Sequence, residues 1–83
     1  MPGKLRRLSA REVEAIFAEF SFARVKGGKG SHIKIRRALA DGTRQSLIFP
    51  DHTELDRGTL ASIIRKASAY IPEAELRPHF YAD

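Results

Sequence analysis

The apolar residues of this chain change their spacing twice, and this change restricts the fold more than any other feature of the sequence. Residues 13–20 and 60–67 carry apolar side chains three and four positions apart, which is the repeat of one buried helix face. Between them, residues 31–38 alternate between apolar and polar side chains, as strands do when one face of a sheet is buried. The sequence therefore predicts a sheet packed against amphipathic helices.

Each of the two long helices begins at a residue suited to capping. Ser9 and Glu12 have the spacing of a capping box, in which each side chain accepts a hydrogen bond from the backbone N–H of the other residue. We expect this first helix to end near Phe20. Asp56 is a suitable N-cap for the second helix, which we expect to run through Ala67.

Three strands are predicted between these helices, over residues 22–26, 31–38 and 44–49. A glycine-rich turn at 27–30 joins the first two strands, because glycines interrupt regular structure. The Asp-Gly pair at 41–42 is a hairpin signal between the second and the third. The third strand stops at a proline, which cannot donate to the hydrogen-bond ladder of a sheet.

The C-terminal part predicts one more short helix. Pro72 suits its first turn, and we expect Pro78 to end it. Phe80 and Tyr81 follow, and we expect both aromatic rings to pack back on the body of the protein.

The order α-β-β-β-α with a short extra C-terminal helix predicts an α+β fold with a three-stranded antiparallel sheet. Two helices must cover one face, because a lone three-stranded sheet cannot bury enough apolar surface. Ile33 and Ile35 should face the helices, which leaves His32, Lys34 and Arg36 on the opposite face. This arrangement is similar to the double-stranded RNA-binding fold (dsRBD-like), although a fold alone does not determine function.

The positive charge of the chain is concentrated in its middle. The net charge is +5, and residues 20–49 hold seven basic residues against one acid, whereas the remaining chain holds eight basic residues against nine acids. A local basic field favours a polyanion partner, with nucleic acid first among them. The alternative is an ordinary solvated basic surface.

The length of 83 residues fits one domain, which we assign to residues 1–83. There is no cysteine, so neither disulfides nor thiolate metal ligands can stabilise the fold, and this composition is typical of cytoplasmic proteins. No apolar run approaches the ~20 residues that span a bilayer, and no apolar signal segment follows the basic N-terminus. We therefore expect a soluble, cytoplasmic protein without a membrane partner.

The segment from Lys29 to His32 contains the groups that metal-free RNA cleavage requires. A glycine-rich turn lets the backbone approach a phosphate, and its amides can form an anion-binding concavity. Lys29, Lys34 and the Ser31 hydroxyl add donors, and an imidazole such as that of His32 takes and gives protons near neutral pH. Such a base can activate a ribose 2′-hydroxyl for attack on phosphorus. The same pattern also fits a histidine that only contacts phosphate.

The other histidines give weaker signals. His52 lies in a loop and is a possible second acid or base, or a residue that caps the following helix or contacts a neighbouring loop. His79 is expected to be structural or inert. The acidic and histidine residues of 51–56 lack the spacing of known metal sites, and no phosphate-binding or dinucleotide-binding motif is present. We therefore expect no metal and no cofactor.

Taken in order, these features resemble the HicA toxin family. The resemblance extends from Leu8 to the C-terminus, and its most specific pieces are Gly30-Ser31-His32 and Gly58-Thr59-Leu60. It implies a bacterial toxin of dsRBD-like fold that cleaves mRNA and is neutralised by a HicB antitoxin, with the family's catalytic histidine at His32. Many members carry a second histidine directly after the first, whereas this chain has Ile33.

With this resemblance, the sequence predicts an endoribonuclease toxin (an mRNA interferase) that works without a metal and uses His32 to activate the ribose 2′-hydroxyl. RNA contacts are assigned to basic and small residues in or beside the first two strands. These residues are Arg24, Lys26, Lys29, Gly30, Ser31, Lys34 and Arg36. The alternatives are a non-catalytic RNA-binding module that uses the same basic sheet face, and a protein-interaction domain that binds an acidic partner.

Overall fold

The computed structural model describes residues 3–82 and follows the predicted order of helices and strands. In chain order, the elements are β1 (Lys4–Leu5), α1 (Ala10–Ala18), β2 (Ala23–Val25), β3 (His32–Ala38), β4 (Arg44–Pro50), α2 (Arg57–Ala67), α3 (Glu73–Phe80) and β5 (Tyr81–Ala82). β2, β3 and β4 form an antiparallel sheet in that order. The predicted α+β fold of dsRBD-like layout is confirmed, and none of the helices within 3–82 is long and apolar enough to cross a membrane.

The two faces of the sheet differ as the alternation predicts. On one face Ile33 pairs with Phe49 and Ile35 pairs with Leu47, and all four side chains are buried in the core shared with the helices. The opposite face, here called the free sheet face, carries the even-numbered residues of both strands. These residues are His32, Lys34, Arg36 and Ala38 of β3, and Arg44, Ser46, Ile48 and Pro50 of β4.

Both predicted helix caps are present. The backbone N–H of Glu12 donates to Ser9 Oγ at 3.0 Å, and the backbone N–H of Ser9 donates to Glu12 Oε1 at 2.8 Å, which completes the capping box. The backbone N–H of Thr59 donates to Asp56 Oδ1 at 2.7 Å. These bonds satisfy donors that a helix start would otherwise leave without partners.

The end of α1 was predicted two residues too late. The helix ends at Ala18, and the chain turns through Ser21, which has a positive φ of 74°. The N–H groups of Ser21 and Phe22 then donate to the carbonyl oxygens of Ala18 and Phe17, at 3.1 Å each. This is the bonding pattern of a Schellman motif, which directs the chain away from the helix and into β2.

The expectation that Pro78 ends α3 was wrong. The helix continues to Phe80, whose ring is fully buried and lies 5.7 Å from that of Phe17. Proline removes its own N–H from the helix and crowds the preceding turn, yet the backbone N–H of Tyr81 still donates to the carbonyl oxygen of Arg77. Burial of Phe80 therefore holds the last turn in place, and the prediction that Phe80 and Tyr81 pack on the body is confirmed.

The chain also forms a second, two-stranded sheet that the sequence did not predict. β1 pairs antiparallel with β5, with Lys4 opposite Ala82 and Leu5 opposite Tyr81. The backbone N–H of Arg6 extends the contact by donating to Phe80 at 2.9 Å. Strands of two residues are too short to show an alternation of apolar and polar residues, so the sequence pattern could not predict them.

Candidate active site

His32 is the first residue of β3 and is exposed on the free sheet face, as predicted. Its position is determined from both sides. The backbone N–H of Asp51 donates to the carbonyl oxygen of Ser31 at 2.6 Å, and Pro50 is the cross-strand neighbour of His32. The backbone before His32 is therefore hydrogen-bonded to the segment that follows β4, and His32 itself pairs within the sheet, at the end of β3.

The imidazole of His32 has one hydrogen-bond partner among the described residues. Its Nδ1 lies 3.1 Å from the carbonyl oxygen of Lys29. A carbonyl oxygen only accepts, so this contact is a hydrogen bond only when Nδ1 carries the proton. In the neutral ring Nε2 then has a free lone pair, and within residues 3–82 no other group occupies it. An exposed imidazole nitrogen in this state can accept a proton from a substrate.

The glycine turn at 27–30 lies directly against β3. A Cβ built on Gly28 would stand 2.4 Å from the carbonyl oxygen of His32, and one built on Gly27 would stand 3.2 Å from Cδ of Lys34. The turn therefore contacts the backbone of His32 and the side chain of Lys34 together. Lys29, Gly30 and Ser31 are all exposed in the same segment. The structure thus brings the residues of the predicted phosphate-binding segment to one end of the free sheet face.

Arg36 and two residues of β4 extend this face. Nε of Arg36 donates to Oγ of Ser46 at 3.3 Å, which orients the guanidinium along the sheet. Arg44 lies opposite Ala38 and is exposed at the far end of β4. Ser46 and Arg44 were not among the predicted RNA contacts, although the strand alternation, counted back from buried Leu47, places both on this face.

Arg24 is separated from the other predicted RNA contacts. Its register partner is Ile35, so its side chain lies on the helix side of the sheet. There it donates to both carboxylate oxygens of Glu14, at 2.7 Å and 2.8 Å. This bond lowers the pKa of Glu14 and raises that of Arg24. Lys26 follows β2 and is exposed. The basic middle segment therefore contributes fewer unpaired cations than its formal charge indicates.

His52 is held at the start of α1 through its backbone. Its carbonyl oxygen accepts from the N–H of Ala10 at 2.9 Å, and its side chain is exposed without a hydrogen bond among residues 3–82. The neighbouring Asp51 accepts two hydrogen bonds from Arg11, at 2.9 Å and 3.1 Å, and this guanidinium lowers the pKa of Asp51. Of the roles predicted for His52, contact with a neighbouring segment is observed. His52 does not cap α2, because the N-cap of that helix is Asp56.

His79 has structural contacts, as expected. Its carbonyl oxygen accepts from Arg6 at 2.7 Å, and its ring packs edge-on against Phe20 at 5.3 Å between centroids. Across residues 3–82, no three His, Asp or Glu side chains come together in an arrangement that could hold a metal ion.

Comparison with known proteins identifies one family. The family model described as the HicA toxin of bacterial toxin-antitoxin systems matches residues 10–69. This range begins at α1, ends just beyond α2 and includes the glycine turn and His32. No curated protein and no solved structure matches the chain.

Proposed function

The chain belongs to the HicA toxin family of bacterial toxin-antitoxin systems, and from this membership we propose that it is an endoribonuclease that cleaves mRNA with His32 as its catalytic base. As the toxin of such a pair it has an antitoxin partner, which we propose to be a protein of the HicB type. The proposed reaction uses no metal ion and no cofactor.

In this reaction, Nε2 of His32 removes the proton from a ribose 2′-hydroxyl, and the 2′-oxygen attacks the adjacent phosphorus. The bond from phosphorus to the 5′-oxygen of the next nucleotide breaks, and that oxygen takes a proton from a general acid or from water. The products are a 2′,3′-cyclic phosphate and a 5′-hydroxyl. Lys29 and Lys34 oppose the negative charge that develops on the phosphoryl oxygens, which is the type of stabilisation that contributes most to such catalysis.

The observation that carries this proposal is the hydrogen bond between His32 Nδ1 and the Lys29 carbonyl oxygen. It leaves Nε2 of an exposed imidazole without a partner among residues 3–82, on the face that also carries Lys34 and Arg36. A histidine that served only to attract phosphate would need its charge and not a particular orientation of the ring. In the neutral ring the bond leaves the lone pair on Nε2, which is what a general base requires.

The proposed RNA-binding surface consists of the glycine turn and the free sheet face. Lys29, Gly30, Ser31 and Lys34 contact the phosphate to be cleaved, and Arg36 binds a phosphate further along the strand. Arg24 contributes less, because Glu14 already occupies its guanidinium. Phosphate contacts of this kind supply affinity that falls as the salt concentration rises.

The test is cleavage of a labelled single-stranded RNA in the presence of EDTA by the parent protein, by His32→Ala and by His79→Ala. We expect His32→Ala to lower the rate by roughly 100-fold or more, as loss of a general base does, and to keep the fold, because the side chain is exposed. His79→Ala is the matched histidine control and should cleave at the parent rate.

Three results would contradict the proposal. Equal cleavage by His32→Ala and the parent would remove His32 from the chemistry. A parent protein that binds RNA but never cuts it would indicate a non-catalytic RNA-binding module. A parent protein without RNA affinity even at low salt would indicate a domain that binds only proteins.

A further inference from the structure

Gly28 lies directly against the backbone of the candidate catalytic histidine. A Cβ at this position would lie 2.4 Å from the carbonyl oxygen of His32, 3.0 Å from its carbonyl carbon and 3.3 Å from the backbone nitrogen of Lys34. All three atoms belong to the backbone of β3, so no side chain can rotate away to make room. Any residue other than glycine must therefore displace the turn from the strand.

The reason for glycine at position 28 is space and not backbone conformation. Gly27, Gly30 and Gly42 have positive φ angles, which glycine adopts without strain, whereas Gly28 is not among them. Gly30 shows the opposite case, because its φ is +59° and a Cβ there would meet no atom within 4 Å. Gly28 is thus a position at which the backbone of the turn lies directly against the backbone of the strand.

The carbonyl group that binds His32 belongs to the next residue along the turn. Lys29 presents its oxygen to Nδ1 of His32 at 3.1 Å. The Lys29 carbonyl belongs to the peptide between Lys29 and Gly30, one residue beyond the contact, so a displacement of Gly28 from the His32 backbone would reach that oxygen through the backbone of Lys29. A shift of the turn by 1 Å would bring the Nδ1–oxygen distance beyond that of a hydrogen bond.

We propose that Gly28 is a positioning residue that holds His32 as the Nδ1–H tautomer, by letting the turn lie close enough for the Lys29 carbonyl to accept from Nδ1. With the turn displaced, the ring would lose this partner, could carry its proton on Nε2 and could rotate. An imidazole in that state has no lone pair at the nitrogen that faces the RNA. The catalytic consequence rests on the proposed function, whereas the tautomer does not.

The experiment is nitrogen-15 NMR of the imidazole rings at a pH where histidine is neutral, on the parent, Gly28→Ala and Gly58→Ala. The parent should show His32 protonated on Nδ1. Gly28→Ala should show protonation on Nε2 or a mixture of tautomers, with the amide fingerprint of the rest of the protein retained. Gly58→Ala is the matched control, because a Cβ there meets its nearest atom at an ordinary 3.5 Å.

RNA cleavage by the same three proteins supplies the second readout. We expect Gly28→Ala to lower kcat by about 10- to 100-fold, as small misplacements of catalytic groups do, with KM nearly unchanged because the cations are retained. Gly58→Ala should retain the parent kcat and the parent tautomer.

The spectrum of the parent alone can overturn the proposal, even if Gly28→Ala does not fold. A parent His32 protonated on Nε2 would overturn it, and so would a Gly28→Ala protein that retains both the Nδ1–H tautomer and the parent kcat. A shifted tautomer in Gly28→Ala, together with a parent that cleaves no RNA, would support the positioning role of Gly28 and contradict the proposed function.

Discussion

The guanidinium of Arg37 donates a hydrogen bond of 3.0 Å to the carbonyl oxygen of Phe20, just beyond the end of α1. The same group donates to the carbonyl oxygen of Tyr70 at 3.0 Å and to Oε1 of Gln45 at 2.7 Å, and it lies 4.9 Å from the centre of the Phe22 ring. Arg37 therefore joins the sheet to the segments that follow both long helices. Its neighbour in sequence, Arg36, lies on the free sheet face.

These two adjacent arginines should respond differently to substitution. Arg37→Ala removes three hydrogen bonds from a half-buried site, and we expect it to lower the free energy of unfolding by about 2 kcal/mol. Arg36→Ala removes one contact with Ser46 and should cost less than about 1 kcal/mol. Urea denaturation of both variants checks the difference, and equal losses would contradict the structural role of Arg37.

RNA affinity should depend on the cations of the free sheet face. On a His32→Ala background that prevents cleavage, we expect Lys34→Ala and Arg36→Ala each to weaken binding and to reduce the slope of log K against log salt by about 1. Arg24→Ala is the control, because Glu14 binds that guanidinium on the other side of the sheet. Fluorescence anisotropy over a salt series measures both quantities. A larger effect from Arg24→Ala than from Lys34→Ala would contradict the assigned surface.

Ser21 occupies a backbone conformation that suits glycine better. Its φ of 74° lies in the left-handed region, which costs a residue with a Cβ about 1 kcal/mol. Ser21→Gly should therefore raise the free energy of unfolding by about 0.5–1 kcal/mol. Ser21→Ala keeps the Cβ and should give no gain. Thermal and urea unfolding of the pair test this, and a destabilised Ser21→Gly would contradict it.

Two ion pairs that join α1 to other segments should contribute to a loss of stability in acid. Hydrogen bonds from Arg24 and Arg11 hold the pKa of Glu14 and of Asp51 below their ordinary values of 4.5 and 3.8. Below these ordinary values the unfolded chain binds more protons than the folded one, so the stabilisation is present above about pH 4.5 and is lost as the pH falls through the folded values. Both pairs are largely exposed, so the effect is small and screened by salt.

The urea midpoint should therefore decrease as the pH falls below about 4.5. The double variant Arg11→Gln, Arg24→Gln should show a shallower decrease over the same range. The charged groups around Glu14 are Arg24, Arg11 and Asp51, and those around Asp51 are Arg11, Arg24 and His52. An equally steep decrease in the double variant would assign the acid sensitivity to other groups.

Local signals predicted the elements that matter most for the site. The alternation around Ile33 and the caps at Ser9 and Asp56 depend on neighbouring residues only, and the structure contains each of them. The face that carries His32 followed from the same alternation. These features could be predicted because a strand or a helix start is determined by a few adjacent side chains.

The features that the sequence did not predict depend on contacts between distant segments. Arg24 adds to the basic charge of the middle segment, but only the register of the sheet shows that it faces the helices. Arg37 shares the face of Ile33 and Ile35 by alternation, but its hydrogen bonds to Phe20 and Tyr70 depend on segments distant in sequence. The bond from His32 to Lys29 depends on how the glycine turn lies on β3. The pairing of β1 with β5 joins the two ends of the described chain, and no local pattern encodes it.

The role of His32 is tested most directly by the rates at which the parent and His32→Ala form 2′,3′-cyclic phosphate ends on one RNA. A second substrate, which lacks the 2′-hydroxyl at the cleaved nucleotide, is the control. The parent should form cyclic ends on the ribose substrate only, and His32→Ala should form them at a rate lower by roughly 100-fold or more. Cleavage of the 2′-deoxy substrate at the same position, or an unchanged rate for His32→Ala, would contradict the central claim that His32 activates the ribose 2′-hydroxyl.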